Sequence, residues 1–311
     1  MAKSTPFGAR STADKVLAGI DLTGKRIVVT GCNSGIGFET MSALSANGAH
    51  VIGLARSLRD AKIACDKVGP SSTPVACDLA NLDSVATAAD AIRALQDPLD
   101  AVVANAGIAN LPTLQTRYGV EMQFLVNHIG HFALVNRLMD LVRNGTGRIV
   151  IVSSSASINQ APAEGIMFDN LDGQRFYKPL MFYGQSKLAI ALFAKELSRR
   201  LSARGIAVNS LHPGATRGTG LNKDASLPLK IALSAAQLFM RSARRGAATQ
   251  ALLAANPSVS GITGEFWSNC QIAKGNSLLQ DPGLAKRLWD VSEDIVARLS
   301  ASPAKSLREA A

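Results

Sequence analysis

The stretch "RIVVTGCNSGIG", residues 26–37, decides the fold. Its first five residues are an apolar run of buried-strand length, and glycines follow at 31, 35 and 37. Glycine is needed where a chain turns sharply, approaches a ligand with bare backbone, or packs a helix closely on a strand. A helix opening here presents unpaired N–H groups and its positive dipole end, which suits a pyrophosphate. Glycines also mark ordinary turns. Their position between a first strand and a first helix is what makes the nucleotide reading specific.

Working outward, short apolar runs alternate with helical periodicity. The runs 50–55, 74–78, 101–105, 148–153 and 206–211 join 26–30 as six buried strands, and 264–268 is a plausible last one. Helical period fills 37–47, 82–95, 121–141 and 186–204. Alternation of this kind predicts βαβ units and a parallel sheet, and near-continuous apolar strands predict cover on both faces. The expected fold is α/β, a single-domain doubly wound parallel sheet (Rossmann fold) with helices on both faces. Residues 1–20 read as an N-terminal extension, 21–275 as the single α/β domain and 276–311 as a C-terminal helical tail.

The chain has 311 residues, 47% hydrophobic and 18% charged, a globular composition with ample length for a dry core. Cys32, Cys65, Cys77 and Cys270 lie far apart with no C-x-x-C pair, so a reducing, cytoplasmic setting is expected. The N-terminus carries no apolar signal-peptide core, and no run of about 18 apolar residues suggests a spanning helix. The net charge of +10 can attract nucleic acid, anionic lipid or a polyphosphate cofactor. The arginines are scattered without interleaved aromatics, so nucleic acid is not an expected partner.

In "FYGQSKLAIALFAKEL" (182–197), Tyr183 and Lys187 stand four apart on one helix face. They are a core aromatic and an incidental lysine, or an acid and the charge that tunes it. A free phenol titrates near pH 10, and a nearby cation favours its ionised form. His128 and His131 share a helix face as well. No carboxylate or cysteine stands at a matching spacing, so packing or hydrogen bonding is expected of them rather than a metal.

The phosphate-loop spacing "TGxxxGIG" resembles the short-chain dehydrogenase/reductase family. Other motifs follow in that family's order over about residues 20–270: "CDLA" with Asp78, "NAG" (105–107), "VNHIGHF" (126–132), "VSSS" (152–155), "YGQSK" (183–187) and "HPGATRGTG" (212–220). The leader, the "GCNSGIGFET" loop and the tail "GEFWSNC…LAKRLWDVSEDI" narrow the resemblance to the retinol-dehydrogenase and WW-domain-oxidoreductase branch, as a soluble relative without WW domains. The resemblance implies Tyr183 as acid/base, with Lys187 tuning it and binding the nicotinamide ribose. It implies Ser154 as donor to the substrate oxygen, with Ser153 and Ser155 as one-residue alternatives. Asn127 is similar to the family's helix-bending asparagine that holds a relay water, or is a simple polar helix residue. Gly31, Asn33, Ser34, Gly35, Ile36 and Gly37 would line the cofactor's phosphates. Asp78 and Leu79 would lie at the adenine, and Asn105, Ala106 and Gly107 at the end of the fourth strand. Pro213, Gly214 and Thr216 would contact the nicotinamide amide.

An NAD site usually ends its second strand in an acid. Ala55 stands there, followed by Arg56, and an arginine suits a 2′-phosphate. NADP(H) is therefore expected over NAD(H), with Ser57 or Asn33 adding hydrogen bonds and Asp60 too far along to interfere. The apolar segment 220–246 reads as a lid for a lipophilic substrate, as a surface for weak peripheral membrane contact, or as core. The expected function is NADP(H)-dependent interconversion of a hydrophobic aldehyde or ketone and its alcohol. The rival is an NADP-binding regulatory or scaffold protein of the same fold without turnover. Either a monomer or a homo-oligomer is compatible with the sequence.

Overall fold

The computed structural model describes residues 4–216 and 241–300. Most of the expected 220–246 segment lies outside the described residues. Eight strands form one sheet: β1 (Arg26–Thr30), β2 (His50–Ala55), β3 (Ser72–Ala76), β4 (Ala101–Ala104), β5 (Arg148–Val152), β6 (Ala207–His212), β7 (Phe266–Ser268) and β8 (Gln271–Ile272). Their spatial order is β8-β7-β6-β5-β4-β1-β2-β3. Every pairing is parallel except β7 with β8. The order reverses between β1 and β4, which opens a crevice at the carboxyl ends of the strands, where open α/β sheets bind ligands.

Strand periodicity explains the two cores. Side chains alternate across a sheet, and here both sets are apolar. Val28, Val102, Ile149 and Ile151 pack on one face, whereas Ile27, Val29, Val103 and Val150 pack on the other. Helices α1 (Ala13–Leu17), α2 (Gly35–Ala46), α3 (Leu58–Val68), α8 (Ala243–Gly246) and α9 (Ala248–Ala255) serve the second face, to which Val16, Leu17, Met41, Leu44 and Leu252 contribute. The first face takes α4 (Leu82–Arg93), α5 (122–138), α7 (Pro179–Arg200) and α10 (Pro282–Ser300). Between β5 and α7 lies the short α6 (Ala156–Asn159). No helix among the described residues is long and apolar enough to cross a membrane.

The departures from the sequence-based expectation have local causes. β3 begins at Ser72 and ends two residues before Asp78. It is an edge strand, where Pro74 costs no ladder bond. α7 starts at Pro179, which sits in its first turn; proline suits that position because its missing N–H has no partner there anyway. β8 was not expected at all. It is reached through Asn269 and Cys270, both at positive φ, in the tight hairpin connection usually written with glycine.

α10 closes the first face. Trp289 stacks on Phe193 with centroids 5.6 Å apart, meets Phe132 edge-on at 5.0 Å, and is capped by the Arg200 guanidinium. Beneath it, the His128 imidazole hydrogen-bonds to Ser292 Oγ at 2.8 Å. Because Ser292 donates its own proton to Leu288 O, His128 Nε2–H is the donor. Burial lowers the His128 pKa to about 3 and that of His131 to about 4. An unfolded chain would take up these protons near pH 6.5. Both histidines therefore add stability above pH 6.5 and lose it as the pH falls toward 4. Between pH 7 and pH 5 each should cost about 2 kcal/mol of unfolding free energy. Urea unfolding at the two pH values, with histidine NMR titration, checks this; histidine signals of the folded protein that all titrate near pH 6.5 would contradict it.

Candidate active site

The crevice is a cleft of about 800 Å³ that runs from Arg56 and Asp78 at one end to Gln160 and Tyr183 at the other. At its centre the β1–α2 turn behaves as its spacing implied. Gly31 and Gly35 have φ of +68° and +56°, which a side chain resists. Gly37 has ordinary φ, but a Cβ there would collide with the Gly31 carbonyl. Two glycines thus serve conformation and one serves space. Phe38 N–H to Ser34 O is the first backbone bond of α2, so the N–H groups of Gly35, Ile36 and Gly37 precede it. No acidic side chain stands in that first turn. A helix start of this kind fits a dinucleotide's pyrophosphate.

Gly31, Asn33, Ser34, Gly35, Ile36, Gly37, Arg56, Asp78, Leu79, Asn105, Ala106, Gly107, Ser154, Tyr183, Lys187, Pro213, Gly214 and Thr216 all line this one cleft. Thus the sequence-derived set converges, with Asn127 as the exception. The Asn105 amide is already committed: Nδ2 donates to Thr30 O at 2.8 Å and Oδ1 accepts from Gln250 at 3.1 Å. Its cleft surface is therefore mainly backbone. Ser57 Oγ caps α3 by accepting from Asp60 N–H. Asp60, expected to lie beyond reach, lines the cleft as well. Arg56 is exposed and forms no ion pair among the described residues.

The reactive end is organised by α7 and the end of β5. Ser153 Oγ–H donates to Lys187 O at 2.6 Å, and Lys187 Nζ–H donates to Val152 O at 3.1 Å. These reciprocal bonds set the helix against the strand. Of the three serines, Ser153 is therefore turned into the helix, and Ser155 offers its backbone N–H to His212 Nδ1. Ser154 lines the cleft with the Tyr183 phenol and is the one that acts to lower its pKa. Ser154 Oγ accepts from Ala156 N–H at 3.2 Å, which leaves its own proton uncommitted.

The electrostatics differ from the simplest reading of the Tyr–Lys pair. Burial raises the Tyr183 pKa, and the Ser154 hydrogen bond offsets part of that rise. Burial lowers the Lys187 pKa to about 8. The lysine is not among the causes that hold the phenol down here, and its ammonium is turned to Val152 O. Tyr183 in this state is a neutral phenol at pH 7.

Asn127 sits behind the cleft wall. Its amide accepts from Ile108 N–H and donates to Ile108 O, each at 2.9 Å, and reaches Ser186 Oγ at 2.9 Å. Around it α5 widens over Leu125–Ile129, where Gly130 N–H reaches back five residues to Leu125 O. His131 completes the brace: Nε2 lies 3.0 Å from Thr30 Oγ1 and Nδ1 lies 3.2 Å from Asn127 O. Thr30 already accepts from Asn105 N–H and Ala106 N–H, so its hydroxyl proton goes to Nε2 and Nδ1–H faces Asn127 O. The two histidines that share a helix face therefore serve different neighbours. Sequence reasoning did not single out His212 or Ile108 as cleft residues, and reached Gln160 only as part of the segment 158–181, whose similarity to the retinol-dehydrogenase branch implied that it borders the substrate. His212 was legible only as the start of the "HPG" turn, and the other two carried no motif.

The comparisons with known proteins agree with this geometry. A family model described as short chain dehydrogenase matches residues 25–167. The chain is 36% identical to the WW domain-containing oxidoreductase of Danio rerio, over 97% of this chain and 75% of that protein. It is 35% identical to retinol dehydrogenase 14 of Homo sapiens, over 89% and 87%.

The chain belongs to the short-chain dehydrogenase/reductase family.

Within it, the chain stands in the branch of those two relatives and is an oxidoreductase. Among solved structures, an uncharacterized protein from Mycobacterium Paratuberculosis superposes with a TM-score of 0.73 at 29% identity, covering 94% of this chain and 98% of that one. A short chain dehydrogenase from Burkholderia cenocepacia J2315 in complex with NADP gives 0.62 at 25% identity, covering 79% and 96%.

Gly37→Ala should abolish dinucleotide binding, because its methyl can be accommodated only by moving the Gly31 carbonyl out of the turn. Quenching of protein fluorescence by NADPH, read beside the thermal midpoint of the free protein, checks this. Wild-type affinity in that variant would contradict the proposed cradle.

Proposed function

We propose that this chain is an NADP(H)-dependent oxidoreductase that interconverts a hydrophobic aldehyde or ketone and its alcohol. The observation that carries the reading is the convergence of Ser154, Tyr183 and Lys187 in one dinucleotide-sized cleft. When bound, the nicotinamide supplies the hydride to the carbonyl carbon, or takes it from the alcohol in reverse. The protein's part is proton handling and placement. Ser154 and Tyr183 hold the carbonyl oxygen between them. Tyr183, held neutral by burial, gives its phenolic proton to that oxygen as the alcohol forms. Lys187, protonated below about pH 8, then stabilises the phenolate and binds the nicotinamide ribose.

The phosphate preference rests on Arg56, whose guanidinium is free of ion pairs among the described residues and lies beyond Ala55 at the end of β2. Asp60 opposes it from the first turn of α3. The arginine is exposed and unpaired, so it can pair with a 2′-phosphate at the mouth of the cleft. A lipophilic substrate is supported by the apolar lining of Ala109, Leu111, Met122, Val126 and Ala156. Exposed Ile158, Phe176 and Leu180, between Ser154 and the first turn of α7, extend that character outward and would give weak membrane contact a place. The cover of α5 and α7 by α10 supports a chain that acts without a partner on that face.

The rival, a cofactor-binding regulator without turnover, gains no support from the site, because Ser154, Tyr183 and Lys187 are all retained and brought together.

The test is NADPH or NADH oxidation, followed by absorbance, against lipophilic aldehydes and ketones. Tyr183→Phe should lose about 10²–10⁴ in kcat; full activity in that variant would overturn the mechanism. Arg56→Asp should shift the kcat/KM preference from NADPH toward NADH by at least tenfold. A wild-type preference for NADH would remove the role given to Arg56.

A further inference from the structure

Gly184, between Tyr183 and the rest of the "GQSK" motif, has a packing role that points to the substrate. A Cβ at Gly184 would lie 2.5 Å from Gln160 C and Ala161 N, and 2.8 Å from Gln160 Cβ. The end of α6 therefore presses flush against α7 directly beside the proton donor. Gln160 is held from its own side too, since its N–H donates to Ala156 O at 2.9 Å. The position of Gln160 relative to Tyr183 is thus fixed by backbone contact and not by a flexible side chain.

The side chain of Gln160 lines the cleft at the end that holds Ser154, Ala156 and Tyr183. Its Oε1 is shielded from solvent and accepts no hydrogen bond among the described residues. Several other amides near the site are engaged, although Gln185 Nε2 and Gln250 Oε1 are also shielded without a partner. Asn127 and Gln123 use both polar ends, and Asn105 is held by Thr30 and Gln250. A buried amide oxygen without a donor is costly, and buried polar groups are otherwise almost always paired. The same cleft is lined by apolar Ala109, Leu111, Met122, Val126 and Ala156. An unpartnered amide oxygen on a residue whose backbone is fixed beside the proton donor is suited to reading a polar group on a ligand.

We propose that Gln160 binds a second polar group on the substrate, a hydroxyl set apart from the reacting carbonyl. A hydroxyl both donates and accepts, so it satisfies the amide at either end. This rests on the oxidoreductase reading and sharpens it. The preferred substrate is a hydroxylated lipophilic carbonyl compound, and a plain hydrocarbon aldehyde or ketone of the same size is a poorer one. A site built to hydrogen-bond a hydroxyl discriminates against analogues that lack it far better than an apolar pocket can.

The test compares 1-tetralone with 5-, 6- and 7-hydroxy-1-tetralone, using NADPH and, in parallel, NADH. In the wild-type protein at least one hydroxytetralone should exceed 1-tetralone in kcat/KM by about tenfold or more. In Gln160→Leu and in Gln160→Met that ratio should collapse toward one. If a variant does not fold, the wild-type ratio and the other variant still decide. Oxidation of the cofactor by all four ketones at similar kcat/KM overturns the role of Gln160 and leaves the oxidoreductase reading standing. A preference that survives both substitutions also overturns it. No cofactor oxidation with any of the four overturns the carbonyl-reducing reading of this cleft, and the Gln160 proposal falls with it.

Discussion

Two hydrogen bonds hold the rest of the site in place: Ser153 Oγ–H to Lys187 O, and Lys187 Nζ–H to Val152 O. Each joins α7 to the end of β5, and they run in opposite directions. Together they set both the depth and the rotation of the helix against the strand. Residue 154 then follows the last strand residue by two, and residue 183 precedes Lys187 by one turn, so serine and phenol meet. A slip of one residue along β5 would turn every side chain to the opposite face. The apolar remainder of α7 secures the arrangement. The helix is buried from Phe182 through Ala194, with the sheet on one side and Trp289 of α10 on the other.

A second constraint holds the cofactor side to the reactive side. The Thr30 hydroxyl accepts from the backbone of Asn105 and Ala106 and donates to His131, which in turn reaches Asn127 O. Asn127 then grips Ile108 and Ser186. One continuous chain of hydrogen bonds thus runs from the phosphate loop, through the turn after β4 and the widened part of α5, to the helix of Tyr183. Burial keeps both histidines of that helix neutral, so the chain carries no charge of its own. The charged group in the dry end of the cleft is Lys187, and its lowered pKa reflects that isolation.

Much of this was legible in the sequence because the relevant physics is local. β1, β2 and β5 read correctly from apolar runs ended by turn residues. The glycines at 31, 35 and 37 read correctly because sharp turns and close approach demand them. What the sequence did not disclose depends on tertiary contact. Asn269 and Cys270 adopt left-handed backbone in a hairpin that carries no glycine signal. His131 looked like a possible metal ligand or a packing residue, and its proton arrangement follows only from Thr30, a hundred residues away. The upward shift of Tyr183 opposes the effect expected of a neighbouring lysine, because the spacing of two residues says nothing about how dry their surroundings are. Gln160 bore no motif of its own, and its place beside Tyr183 follows from Gly184, whose role in "YGQSK" is a contact across the fold.

The central claim is that Ser154 and Tyr183 position a carbonyl for hydride delivery from a dinucleotide lying along the phosphate loop. Deuterium transfer tests it most directly. The protein is incubated with NADPH carrying deuterium at nicotinamide C4, prepared separately for each face, and with a lipophilic ketone. The product is examined by mass spectrometry and NMR. The account predicts an alcohol with one deuterium on the carbinol carbon, from one face of the cofactor and not the other. Failure to form any deuterated alcohol, or equal transfer from both faces, would contradict it.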